Sequence, residues 1–328
     1  MPIVFRTELK PGPAVLQFGY ENTFLAAGSC FAQCMRNRLL DNRLPVHKFD
    51  PGTVFNPISL FEALSGNDFP LKAPITGTAV GKPNTGLFAE RDGKWFSYRH
   101  SSKFFGNTQA ELIEKLSRLK PNVPAADVWL LTLGTAYVYE LAETGEPVAN
   151  CHKMPGGLFR KRMLSPGETE QAFENMITSL PQVPAAIILT VSPVRHTRDT
   201  LELNSVSKAV LRLAAHNICS KFEGVHYFPA FELLNDDLRD YRFYADDLIH
   251  PSAQAEEYIW QKFAETWLSA EARETSDKWQ LVKRNLAHRS SEPGSDAHRA
   301  FLERTIAQLK ALPKAIDVAD IIAGLRGN

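Results

Sequence analysis

Three short, continuous apolar runs set the tightest limit on what this chain can fold into. They are TFLAAG at 23–28, DVWLLTLG at 127–134 and AAIILTVSP at 185–193. A strand with one wet face alternates apolar and polar residues, whereas a strand that is apolar throughout must be covered on both faces. VHYFPAFELL at 225–234 contains a fourth strand. Between these runs the period changes. CFAQCMRNRLL places Phe31, Cys34, Met35 and Leu39 on one helical stripe. Helices are also predicted for the second half of FNPISLFEALSG, for TQAELIEKLSRLK, GETEQAFENMITSLPQ, LNSVSKAVLRLAAHNICSKF and AEEYIWQKFAETWL. In TQAELIEKLSRLK, Thr108 and Glu111 have capping-box spacing. Buried strands alternating with helices predict a three-layer α/β/α domain around a central parallel sheet.

The main domain is read as residues 20–270, behind an N-terminal arm at 1–19 broken by Pro11-Gly12-Pro13. A turn-rich stretch at about 74–106 reads as an insertion, with GLFAERDGKWFSYRH as a hairpin turning at Asp92-Gly93. After Ser269 the chain becomes polar, and AFLERTIAQLKAL then supplies an amphipathic helix. Residues 271–328 are read as a helical C-terminal extension, packed on the domain or used for association.

At 328 residues and 44% hydrophobic content the chain can bury a sizeable core. Lys+Arg and Asp+Glu both number 37, so the chain has no global attraction for nucleic acid or acidic lipid. No signal-peptide pattern opens the sequence, and no segment approaches the ~20 apolar residues of a membrane helix. The expectation is a cytoplasmic protein acting on a small molecule or glycan. Cys30, Cys34, Cys151 and Cys219 are then expected as free thiols, with Cys219 serving as a small apolar residue. Cys30, Cys34, Cys151, His152 and His100 form a minor zinc alternative. Their spacing matches no zinc module, and no metal is expected. GTAVGKPN fails as a phosphate loop: Gly77 and Gly81-Lys82 are one residue too close, and Pro83 stands at the Ser/Thr position.

In a parallel sheet, ligands sit beyond the carboxyl ends of the strands. Three such ends carry suggestive chemistry: Gly28-Ser29-Cys30, Gly134-Thr135 and Ser192-Pro193-Val194-Arg195-His196. The late loop DDLIHPS adds Asp247 and His250. Together GSCFA at 28–32, FNPISL at 55–60, TLGTAYVYE at 132–140, NCHK at 150–153, SPVRH at 192–196 and DYRFYADDLIHPS at 240–252 resemble the GSCFA family. That family is similar to the SGNH (GDSL-like) hydrolases, which include esterases, carbohydrate deacetylases and acyltransferases. The resemblance implies their flavodoxin-like strand order. Laid on their Gly-Asp-Ser turn, Gly28 keeps the Gly and Cys30 falls on the nucleophile. Asp247-Leu248-Ile249-His250 keeps their Asp-x-x-His. Of their Gly-x-Asn only Gly134 remains, with Ala136 at the Asn position; Asn56 is a candidate to replace the lost amide.

The resemblance implies hydrolysis or transfer of an O-acyl group, on a carbohydrate or other polar metabolite. Cys30, or Ser29 as its rival, would attack, with His250 as base and Asp247 orienting it. No cofactor is implied, though a transferase would take an acyl donor such as acyl-CoA. A thiol at a helix N-terminus is biased toward thiolate, so Cys30 is expected to alkylate faster than a free thiol. Ser29 equally fits a helix N-cap. Arg195 could bind a carboxylate or phosphate, and His196, His100 and His152 are candidate substrate contacts. Each also fits a structural role, as does Thr135 as a turn cap; Tyr137 and Tyr139 read as core. A non-catalytic small-molecule or glycan-binding protein on the same fold is the alternative from another class.

Overall fold

The computed structural model describes residues 6–65, 88–119, 125–288 and 292–326. Residues 74–87 of the predicted insertion, with the phosphate-loop-like stretch at 77–84, lie outside the described residues. Strand β1 (Phe24–Gly28) leads into α1 (Cys30–Asp41) and α2 (Pro57–Leu64). Three short strands follow, β2 (Phe88–Arg91), β3 (Lys94–Ser97) and β4 (Phe105–Gly106), then α3 (Gln109–Leu119). After β5 (Val128–Leu133) come β6 (Tyr137–Leu141), β7 (Pro147–Val148), β8 (Phe159–Met163) and α4 (Pro166–Ser179). Then follow β9 (Ala186–Val191), α5 (Thr200–Lys221), β10 (Val225–Tyr227) and the short α6 (Ala230–Glu232), which runs into a π-helical turn at Leu233–Leu238. Helices α7 (Ala253–Trp267), α8 (Ala270–Ala287), α9 (Asp296–Lys310) and α10 (Ala319–Arg326) complete the chain.

The central sheet is parallel throughout, in the order β1-β5-β9-β10. Residues 45–54 add an extended edge beside β1. Phe24 N–H donates to Pro45 O, His47 N–H to Phe24 O and Val54 N–H to Gly28 O. Counting that edge, the order is 2-1-3-4-5, the flavodoxin-like arrangement. Every residue of β1, β5 and β9 is buried. Successive side chains go to opposite faces. Phe24, Ala26, Val128, Leu130 and Ile188 pack with Phe31 and Met35 of α1 and Ile259 and Phe263 of α7. Leu25, Trp129, Leu131, Ile187 and Leu189 pack with Leu60 of α2, Phe173 of α4 and Leu211 of α5. Each fully buried Leu, Ile or Phe contributes about 1.5–3 kcal/mol of hydrophobic stabilisation.

Two small antiparallel sheets, β2-β3-β4 and β7-β6-β8, stand apart from the central one. The β2–β3 hairpin turns at Asp92 (φ 53°) and Gly93 (φ 72°), both left-handed as a two-residue type I′ turn requires. Sheet β7-β6-β8 corrects one expectation. Tyr139 is 41% exposed rather than in the core, because a hairpin sheet outside the layered core keeps one face wet. The Lys161 ammonium lies over Tyr137 and Tyr139, 4.3 and 5.7 Å from the ring centres.

Helix α8 extends into the segment that reads as polar in sequence, burying Ala272, Thr275, Trp279 and Val282 on one stripe. Trp279 Nε1–H donates to Asp41 O at 2.7 Å. Leu309, Leu312 and Ile316 join the core cluster of β1 and α1. The C-terminal helices therefore pack on the domain.

Candidate active site at the carboxyl end of the sheet

The chain leaves β1 through Gly28 at φ +130°, where an added Cβ would lie 2.2 Å from Thr132 O; only glycine lets β1 and β5 approach this closely. Ser29 follows at the N-cap position of α1. Its N–H donates to Thr132 O at 3.1 Å, but its hydroxyl makes no cap bond. Ser29 is 2% exposed, and its Oγ has no hydrogen-bond partner among the described residues. Cys30 is the first residue of α1 and is half-buried. Burial pushes its thiol pKa up. This runs against the expectation of a thiolate-biased thiol: burial outweighs the one opposing influence, the hydrogen bond from the residue's own backbone. Such a thiol needs a base.

The loop before α7 holds the candidate. Asp247 Oδ1 accepts the N–H of Ile249 and of His250, each at 2.9 Å, and its Oδ2 lies 2.7 Å from His250 Nδ1. The His250 backbone N–H first, then its ring, then the Ile249 N–H, hold the Asp247 carboxyl down to about 2. A carboxylate only accepts, so Nδ1 carries the proton and Nε2 presents its lone pair. Both side chains are roughly half exposed. Two residues on, Ser252 caps α7 by accepting the Ala255 N–H.

Helix packing brings the starts of α1 and α7 to the same end of the sheet. Helix α1 leaves the carboxyl end of β1 and returns the chain to the bridge between Val46 and Phe24, at the amino end. Helix α7 starts from a loop tied to the far end of β9, where Arg195 N–H donates to Ile249 O at 3.2 Å. It finishes where Trp267 O accepts the Phe18 N–H, ahead of β1. The helices therefore run the same way on one face of the sheet. Burial first, and then the nearby Glu256 charge, push the Cys34 thiol up, and Arg38 pairs with Glu257. One turn before Cys34 is Cys30; one turn before Glu256 is Ser252, two residues from His250. Nucleophile and base candidates thus lie toward one level at the carboxyl end of the sheet, Cys30 half-buried and His250 exposed.

The middle-strand loop is fully engaged. Gly134 N–H and Thr135 N–H both donate to Phe55 O, and Ala136 N–H donates to Ser207 Oγ at 2.8 Å. A Cβ on Gly134 would lie 2.8 Å from Phe55 O and 3.0 Å from Ser29 Cβ. Thr135 Oγ1 meets Ser207 Oγ at 3.0 Å and accepts the Tyr137 N–H, as a turn cap does. Asn56 caps α2: its Oδ1 accepts the Ser59 N–H at 2.9 Å, while its Nδ2 donates to Val148 O at 3.2 Å. This geometry gives Asn56 a structural role, because both ends of the side chain hold backbone, and it leaves one Nδ2 hydrogen uncommitted among the described residues. At the start of α1, Ala32 N–H already donates to Ser29 O, which leaves the N–H groups of Cys30 and Phe31 as candidate donors.

His196 lies edge-on to Phe55, with ring centres 5.7 Å apart. Burial first, then the Lys208 charge, drop it to about 4; the His250 charge acts in the same direction. Its Nε2 has no hydrogen-bond partner among the described residues. The Arg195 guanidinium lies over Tyr244, 3.8 Å from the ring centre, and within 5.1 Å of that of Tyr241. His100 and His152 form a separate cluster around Ser97. His152 Nε2 meets Ser97 O at 2.7 Å, His100 Nδ1 meets Ser97 Oγ at 2.8 Å, and His152 stacks on Phe96. Burial drops His100 to about 4, with the Arg99 and His152 charges adding to it. Among the described residues no group of three or more His, Cys, Asp or Glu side chains is arranged to hold a metal.

Sequence reasoning passed over Lys208. It sits on α5, 2% exposed, with Nζ donating at 2.7 Å to Gly134 O and to Ser192 O. A lysine in an amphipathic helix reads as solvent-facing. The available signal was its place on the buried stripe with Asn204, Leu211 and Ala215.

A family model described as the GSCFA family matches residues 23–263. A second, described as the GSCFA domain protein C-terminal domain, matches residues 279–327. No curated protein matches the chain. Among the described residues no helix is long and apolar enough to cross a membrane.

Proposed function

The chain belongs to the GSCFA family, and from that premise we propose that it hydrolyses or transfers the acyl group of an O-acyl ester, on a carbohydrate or similar polar metabolite. The observation that carries this reading is the shared level of Cys30, at the start of α1, and the Asp247–His250 pair, in the loop that enters the parallel helix α7. His250 Nε2 takes the thiol proton as Cys30 Sγ attacks the ester carbonyl. The N–H groups at the start of α1 receive the oxyanion. Collapse breaks the C–O bond, and the imidazolium returns its proton to the leaving alkoxide, leaving a thioester on Cys30. Water, or an acceptor hydroxyl in a transferase, then gives its proton to His250 and attacks the thioester; the C–S bond breaks, and the imidazolium returns the proton to the departing Cys30 thiolate. Asp247 holds the tautomer and balances the imidazolium throughout. Acyl-CoA is the natural donor for the transferase direction. The Asp-x-x-His pattern and the strand-to-helix turn support kinship of this site with the SGNH hydrolases, and four free cysteines fit the cytoplasm.

Cys30 is preferred to Ser29 because the Ser29 hydroxyl is enclosed against Gly134. A non-catalytic binding protein is the second reading, favoured by the engaged N–H groups of residues 134–136. Steady-state turnover of 4-nitrophenyl acetate by the full chain separates them. Cys30→Ala and His250→Ala should each abolish turnover, while Ser29→Ala retains most of it. Equal turnover by all three variants and the wild type would remove the enzyme reading.

A further inference from the structure

Lys208 is a buried cation that the proposed reaction does not use. No carboxylate pairs with it among the described residues, and desolvation drops its ammonium to about 7. Enclosing a charge this way is costly unless something compensates, and here two carbonyls do. Strands β5 and β9 pair in register as far as Leu133 and Val191, and Ser192 N–H donates to Leu133 O. Just past that last rung, Lys208 Nζ takes hold of both chains, through Gly134 O and Ser192 O.

The two carbonyls belong to different halves of the site. Gly134 abuts Ser29, the residue before Cys30. Ser192 opens the loop in which Arg195 holds Ile249, next to His250. We propose that Lys208 is a positioning residue: one buried nitrogen bridges the segment that supports the nucleophile and the segment that supports the base, and so sets their separation. The clamp stands on its own geometry; that it serves acyl transfer rests on the function proposed above.

The charge state matters because a hydrogen bond from an ammonium is roughly twice as strong as one from a neutral amine. The titratable group that senses Lys208 is His196, from the loop after β9; His250 and Lys161 of β8 act on His196 in turn. Strands β5 and β9 offer Lys208 the two carbonyl bonds.

The test uses the full chain as wild type, Lys208→Met and Lys208→Gln, the last keeping two N–H donors without the charge. Iodoacetamide alkylation of Cys30, followed by peptide mass spectrometry, reads the site without a substrate. Turnover of 4-nitrophenyl acetate reads the chemistry. Misplacing reacting groups by about 1 Å can cost about a hundredfold. Lys208→Met should therefore lower kcat at least about tenfold with KM within about twofold. It should also change the Cys30 alkylation rate and raise the His196 titration midpoint in NMR. Lys208→Gln should recover part of kcat. A folded Lys208→Met with the kcat, alkylation rate and His196 midpoint of the wild type overturns the proposal. Should Lys208→Met not fold, the wild type decides: the NMR titration of the Lys208 ε-methylene and an inflection in Cys30 alkylation must share a midpoint, and separate midpoints overturn the clamp. Absence of Cys30-dependent turnover in the wild type removes the acyl-transfer reading, while the alkylation and NMR arms still judge Lys208.

Discussion

Replacing Asp247 by Asn changes one atom and should nearly silence the site. The amide oxygen can keep both backbone bonds, to Ile249 and His250 at 2.9 Å. That leaves the Asn NH2 facing His250 Nδ1, where the carboxylate oxygen stands 2.7 Å away. Two donors cannot face each other, so the imidazole must accept at Nδ1 and carry its proton on Nε2. Nε2 then has no lone pair to take the Cys30 proton. A tautomer trap of this kind costs about 10³–10⁴-fold in kcat. KM should stay within about threefold, because Asp247 touches no substrate in the proposed reaction. Stability should hardly move, since both side chains are about half exposed and the turn keeps its backbone bonds. The wild-type acid limb should not come from Asp247 either. Its folded pKa is depressed from 3.8 to about 2, so its contribution is intact above 3.8 and is lost only as pH falls toward 2. The assay is 4-nitrophenyl acetate turnover across pH, beside a urea melt. A kcat within about tenfold of wild type, at an unchanged urea midpoint, would refute the assignment of Asp247 and His250 as orienter and base.

Three further outcomes are expected. Gly28→Ala puts a methyl 2.2 Å from Thr132 O at φ +130°; strain and a weakened strand end should cost about 3–5 kcal/mol, and a urea-melt loss under about 1 kcal/mol would contradict the packing. Cys30, its thiol pKa raised by burial, should alkylate at neutral pH more slowly than a small free thiol, and faster reaction would mean that the dipole outweighs desolvation after all. Lys208 is depressed from 10.5 to about 7, so between those values the unfolded chain binds more protons. Unfolding free energy should accordingly rise with pH across that window, by up to about 1.4 kcal/mol per pH unit, more steeply than in Lys208→Met; matching slopes would show that the ammonium is not enclosed.

Much of the fold was readable because its signals are local. A strand buried on both faces must be apolar at every position, and β1, β5 and β9 are. The Ser252 cap of α7 and the Asp92-Gly93 turn depend on neighbours within four residues. So does the Asp247–His250 pair, whose members are three positions apart on one turn. Sheet β7-β6-β8 escaped because its strands are short and one face is wet, which leaves only a weak pattern. The role of Asn56 was not legible because an amide that caps a helix and one that binds an oxyanion look alike until their partners are known.

Sequence alone determined the layering and the strand exits that bear polar, chemically suggestive side chains, since each follows from periodicity or spacing along a few residues; the roles of nucleophile and base are what the family resemblance implies. The tertiary structure decided that burial raises the Cys30 thiol, that Asn56 caps α2 and the N–H groups of residues 134–136 are already engaged, and that Lys208 closes the gap between β5 and β9. Burial and proximity are sums over atoms contributed by residues far apart in the chain, and they acquire values only when the layers close on one another.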